Sequence, residues 1–273
     1  MSKPAPPVSK VAVSKVAALI LLAFAGSPLA SAERPPGYAD LADLTLAAPV
    51  IVRGTIEKTS RLNAKAAPGL AAGKARLLVT ARLEAALVAP GALPARLQWL
   101  WDAPLDARGK PPKVQKMTVL AWLNAPGADG ATRLVSRLAQ QPWDAGLESR
   151  VRAIAIEARS GKIPVVTSVS NGFRAEGTVP GESESQFFLT AKDGRPLTLV
   201  VENRPGEARR VIVSRAEIID ESAERVRPET LLWYRLACVL PAELPSTAGG
   251  DDPALAADWQ AALLSLGPCG RTP

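Results

Sequence analysis

Apolar and polar residues alternate most regularly over residues 75–88, where Leu77, Val79, Ala81, Leu83, Ala85 and Leu87 share one face while Arg76, Thr80, Arg82 and Glu84 take the other. A repeat of two puts successive side chains on opposite sides of a pleated chain, so this stretch predicts a long strand buried on one face. The same reasoning predicts strands over 50–58, with Gly54 at a bulge or bend, and over 95–102, where Leu97, Trp99 and Trp101 fall on one side. Residues 118–124 and 132–138 complete this run of strands, separated by a turn at 126–130. Ahead of them, residues 38–48 predict a short helix with Leu41, Leu44, Thr45 and Ala48 near one face, stopped by Pro49.

The period changes at Asp144. Leu147, Val151, Ile154 and Ala158 form one stripe of a helix over 144–160, with Asp144 as its N-cap and Gly161 just past its end. Glu148 and Arg152 stand four apart and are expected to pair on its solvent side. A strand at 163–170 and a polar connection over 171–181 lead to a meander of three strands, 186–190, 196–202 and 210–214, reversed at Asp193-Gly194 and Pro205-Gly206. After an exposed, charged stretch at 217–226, Pro228 is expected to open a buried helix over 229–240. A last helix over 253–266 has Asp252 as cap, Pro253 at its first position and Gly267 at its end. The sum is an α+β protein, mainly antiparallel β. Residues 33–140 form a barrel-like N-terminal half, and residues 141–273 an α+β half whose antiparallel sheet is covered by helices.

Composition adds the compartment. Lys3, Lys10 and Lys15 precede an apolar run from Val16 to Ala25 that leads to Ala30-Ser31-Ala32, the pattern of a secretory signal peptide over 1–32. That run is shorter than a spanning helix needs, so the mature product is expected to be soluble, periplasmic or secreted, with no transmembrane helix. Removing the leader takes three lysines and no acids from the formal +7 of the whole chain and leaves +4. A hydrophobic content of 47% rules against disorder. The two cysteines, Cys238 and Cys269, both lie in the mature part, where an oxidising compartment favours a disulfide between them.

A helix ahead of APVIVRGTIEK, the alternating strand ARLLVTARLEAAL, then RLQWLWD and KMTVLAWL in series, resemble the netrin-like modules, five-stranded OB-type barrels. The resemblance covers roughly residues 38–138, rests on strand order and transfers no site residue. It implies an OB-like barrel in the N-terminal half. The segments PLDARGKPPK, GESESQFFL and ETLLWYRLACVLP resemble a family of uncharacterised exported proteins of Gram-negative bacteria, a likeness over nearly the whole mature length that implies export and no particular activity.

The chain has no histidine, which removes Ser-His-Asp and Cys-His catalysis and the commonest zinc ligand. It has no GxSxG or P-loop motif, and no cofactor or metal is expected. Carboxylates remain. Glu182 and Glu184 flank Ser183 at a spacing that points both side chains one way on a strand, a candidate acid and base pair or weak cation site. Asp102 and Asp106 are expected to organise a turn. Arg108, Lys110, Lys113 and Lys116 concentrate positive charge in one loop, a candidate contact for an envelope protein or an anionic surface. Nucleic acid is not expected. The resulting expectation is a non-catalytic periplasmic binding or accessory protein. The alternatives are a carboxylate-dependent hydrolase acting on envelope glycan through Glu182 and Glu184, and a netrin-like inhibitor with a wedge at the mature N-terminus near Tyr38.

Overall fold

The strand predicted over 75–88 is β2 (Lys74–Val88), and its burial alternates residue by residue through its first half. It is the second strand of an ordered series in a computed structural model that describes residues 1–2, 35–126, 132–215 and 223–272. The chain divides into two compact units, Met1–Pro35 and Pro36–Pro273, and the description below concerns the second. The expected leader and most of the expected turn at 126–130 and charged stretch at 217–226 lie outside the described residues.

Helix α1 (Tyr38–Ala47) leads into β1 (Val50–Arg61), β2, β3 (Arg96–Pro104), β4 (Thr118–Leu123), β5 (Thr132–Arg133) and β6 (Gln140–Pro142), whose order in one sheet is β5-β3-β2-β1-β4-β6. Strand β5 runs parallel to β3 through Trp99↔Thr132. The residues around it also reach β4, by the bridge Leu123↔Leu134 and by Asn124 N donating to Arg133 O at 2.8 Å. These pairings complete the circuit β1-β2-β3-β5-β4, so the N-terminal half is an OB-like barrel. Ile56, Leu77, Val79, Leu97, Trp99 and Leu123 are buried together inside it. Trp99 satisfies its indole N–H by donating to Gln140 Oε1 at 2.7 Å. The expected irregularity at Gly54 is real: the β1–β2 register shifts beside it, and a Cβ there would lie 2.9 Å from the Arg82 carbonyl oxygen.

The strand expected over 132–138 is not formed as such. Its apolar residues Leu134, Val135 and Leu138 do not alternate, and after two residues of β5 the chain turns at Ser136, whose side chain accepts from Leu138 N at 3.2 Å. The short β6, which no sequence pattern marks, is held by its pairing with β4 and by the Trp99 indole on Gln140.

Helix α2 (Ala145–Ser160) keeps its predicted ends, with Asp144 Oδ1 accepting from Leu147 N at 2.9 Å and Gly161 at φ 64°. Then β7 (Val166–Glu176), β8 (Ser183–Ala191), β9 (Thr198–Asn203) and β10 (Arg210–Ser214) form an antiparallel sheet in the order β10-β9-β8-β7. Strand β7 runs to Glu176, through residues expected to be a loop, because its polar second half finds a complete partner in β8 from Phe188 to Ser183. The helix expected over 229–240 is shorter: α3 spans Leu231–Ala237, since Thr230 caps it by accepting from Trp233 N at 3.2 Å. Glu229, at φ 56°, and Pro228 therefore stand outside it. Helix α4 (Pro253–Leu266) has the predicted cap, with Asp252 Oδ1 accepting from Ala254 N at 2.8 Å. None of the helices among the described residues is long and apolar enough to cross a membrane.

A second buried cluster joins the halves: Trp122 on β4 and Ile154 on α2 pack in it with Leu41, Phe187, Leu231 and Trp259. Glu148 does not face solvent. It is buried, pairs with Arg152 as its spacing predicts, and also accepts from Arg53 Nη1 at 2.9 Å and Trp143 Nε1 at 2.6 Å, so it fastens α2 to the barrel. The disulfide Cys238–Cys269 ties the end of α3 to the segment after α4. That segment lies against α1, where Thr272 donates to Asp40 and Arg271 to Asp43.

Candidate functional site: a basic groove on the barrel

The outward residues of β2 and β3 are polar apart from the facing pair Leu78 and Leu100, because the inward ones fill the barrel, and register places Arg76 directly opposite Asp102. Arg76 donates from Nε to Asp102 Oδ1 at 2.6 Å and from Nη2 to Oδ2 at 2.8 Å, a two-pronged pairing. Its third nitrogen donates to Pro68 O at 3.0 Å and so holds the β1–β2 connection over the strands. The Asp102 carboxyl is kept below the ordinary carboxylate range, chiefly by the Arg76 hydrogen bonds and also by the charges of Arg76 and Lys74, against a smaller opposing effect of burial.

Around this pair lies an open groove of about 580 Å³. Lys74, Arg76, Trp101, Asp102, Arg133 and Arg137 line it, together with the connection after β1 and the turn at Ser136. Among the described residues that line it, four cations accompany one carboxylate, and that carboxylate is already committed to one of them. Arg133 is exposed, and its side chain makes no hydrogen bond or ion pair with any described residue. Trp101 is half-buried, packing against the barrel core while lining the groove. A volume in this range is that of a ligand-binding cleft. It lies on the β2–β3 surface, between the β1–β2 connection and the turn after β5.

The residues singled out by sequence fall into three places. Trp99 belongs to the core, whereas Trp101 and Asp102 belong to the groove. Asp106 organises the turn after β3, its Oδ1 accepting from Arg108 N at 2.9 Å and Lys110 N at 2.8 Å. Arg108, Lys110, Lys113 and Lys116 are exposed on the β3–β4 connection, which Val114 anchors to the barrel interior. That connection leaves the sheet beside the groove, because Leu105 N donates to Gly73 O, next to Lys74, at 2.8 Å. Glu182 and Glu184 lie apart from it, at one end of the second sheet. They line an open depression of about 350 Å³ with Glu176 and Glu202. Glu184 accepts from Gln186 at 2.7 Å, while Glu176 and Glu202 pair with Arg174 and Arg210. Among the described residues no group of three or more His, Cys, Asp or Glu side chains is placed to hold a metal ion. Tyr38 is buried edge-on against Trp233, with ring centroids 6.0 Å apart.

Sequence reading did not find Lys74, Arg76, Arg133 and Arg137 as a group. The usable signal was the outward set of β2 combined with OB strand order, which puts β3 beside it and β5 beyond. Comparison of the chain with protein-family models and with curated proteins finds no match, so the site stands on its own geometry.

Proposed function

We propose that this chain is an exported, non-catalytic binding protein of the bacterial envelope, and that the barrel groove holds an anionic ligand. The observation that carries the reading is the convergence of Lys74, Arg76, Arg133 and Arg137 on one open cleft beside Trp101, with Asp102 as the single carboxylate among the described residues that line it. Fixed cations of one sign in a concave, low-dielectric setting concentrate an oppositely charged ligand. The disulfide and the leader pattern support export to an oxidising compartment. The Arg108 to Lys116 loop, next to the groove, supplies further positive charge for an anionic surface or partner.

A titration of the purified protein with an acidic oligosaccharide, followed by tryptophan fluorescence, tests this. Arg133→Ser, an exposed position, is expected to weaken binding roughly tenfold, equivalent to about 1.4 kcal/mol, with thermal stability unchanged. Unchanged affinity in that variant would remove the groove from the account. One observation favours the second reading, a carboxylate-dependent hydrolase: Glu182 and Glu184 share a depression with Glu176 and Glu202. Release of reducing ends from envelope glycan by the purified chain, abolished in the double variant Glu182→Gln, Glu184→Gln, would establish it in place of the first.

A further inference from the structure

We infer that the ligand of the groove is a segment of an acidic polysaccharide, a chain of sugars carrying carboxylates beside free hydroxyls. The inference rests on the groove reading and identifies what the groove selects. Three features of the cleft bear on its ligand.

The first is the mixture of charges. An ionised carboxylate only accepts hydrogen bonds, so Asp102 excludes a ligand that is anionic at every contact and welcomes one that also offers O–H groups. The guanidinium of Arg76 beside it, with Lys74 and Arg133 on either hand, only donates. Donors on both sides of one acceptor suit a uronic acid chain, which carries carboxylates beside hydroxyl groups. A bare polyphosphate has nothing to give Asp102.

The second is the aromatic content. Trp101 is the only aromatic residue among the described residues that line the groove. A single aromatic residue does not make the successive platforms on which single-stranded nucleic acid stacks successive bases. The third is shape. The groove is open and concave, so a polymer can enter and leave it, whereas a flat lipid surface does not fill it. A chain leaving past Lys74 meets the β3–β4 connection, whose first residue hydrogen-bonds Gly73, and with it the exposed Arg108, Lys110, Lys113 and Lys116. The groove thus selects, and the loop extends the attraction along the polymer.

The test is a set of parallel titrations of the purified chain and its Arg133→Ser and Lys110→Ser, Lys113→Ser variants. The probes are hexagalacturonate, galacturonate monomer, neutral maltohexaose, oligothymidylate, and vesicles of phosphatidylglycerol. Hexagalacturonate is expected to bind about tenfold or more tightly than maltohexaose and than the monomer, to lose about tenfold in Arg133→Ser and a smaller factor in the loop variant, and to weaken as ionic strength rises. If oligothymidylate or the vesicles bind more tightly than hexagalacturonate and that binding falls in Arg133→Ser, the groove stands and the polysaccharide is wrong. Equal binding of monomer and hexamer also overturns the extended ligand. If no probe responds to Arg133→Ser, the groove reading fails and takes this inference with it.

Discussion

Asp258 is a carboxylate in the wrong place for an ordinary helix surface, and replacing it by asparagine is a direct trial of how α4 is held to the sheet. Its side chain is 2% exposed. Oδ2 accepts from Ser185 Oγ at 2.7 Å and from Arg174 Nη1, and Oδ1 accepts from Asn203 Nδ2 at 3.1 Å. Arg209 adds a more distant cation at 3.7 Å. Every group around the carboxylate is thus a donor, and Asp258→Asn turns one acceptor oxygen into a further donor while removing the buried one of the two carboxylates, with the exposed Glu176, that balance a largely buried Arg174. Removing one partner of a buried ion pair costs about 3 to 5 kcal/mol. At about 2 to 4 °C per kcal/mol for a chain of this size, the melting temperature should fall by roughly 10 °C. Differential scanning calorimetry of the two proteins measures it. A companion variant, Arg174→Met with Asp258→Leu, removes both charges together and should recover much of the loss, since buried pairs are commonly replaceable by apolar residues. A single variant within about 3 °C of the parent, or a double variant whose loss is the sum of the two single ones, would refute the reasoning.

The remaining predictions follow from single features. Replacing both Cys238 and Cys269 by serine opens a loop whose ends are 31 residues apart, and chain entropy puts the loss near 4 kcal/mol; chemical denaturation of the oxidised and variant proteins checks it. Gly172→Ala would place a Cβ 2.7 Å from Ala248 O and 3.0 Å from Leu255 Cδ2, an overpacking expected to cost about 1 to 3 kcal/mol in the same assay. Burial alone would raise Glu148, but hydrogen bonds from Trp143 and Arg152 and the charges of Arg53 and Arg152 outweigh it and hold the carboxyl below its ordinary 4.5. A depressed carboxylate contributes stability that is present above the unfolded value and lost as pH falls through the folded one. The parent should therefore lose stability more steeply than Glu148→Gln as pH drops below 4.5, and parallel pH profiles of melting temperature would contradict this.

What was legible in the sequence was whatever local chemistry decides. The alternation along β2 shows because that strand is buried on one side, and the ends of α2 and α4 show because Asp144, Gly161, Asp252 and Gly267 act within a turn of themselves. What was not legible depends on partners far along the chain. The pairing of Arg76 with Asp102 joins residues 26 apart, and the capture of Glu148 by Arg53 joins residues 95 apart, so an i, i+4 spacing correctly marked the Arg152 contact but assigned it to the wrong side of the helix. Strands β5 and β6 exist through β3 and β4, and β7 continues because β8 is there to pair with it. The groove suffers from the same distance: its cations come from β2, β5 and the turn beyond, and only strand order brings them to Trp101. The glutamate pair, conspicuous in sequence at a spacing of two, sits instead at one end of the other sheet.

Hydrogen–deuterium exchange of the purified chain with and without saturating hexagalacturonate tests the central claim most directly. The account predicts slowed exchange at the start of β2, the end of β3 and residues 133–138, with the ends of β8 and β9 around Glu182 and Glu184 unchanged. Protection confined to that second region, or none along β2 and β3, would contradict it.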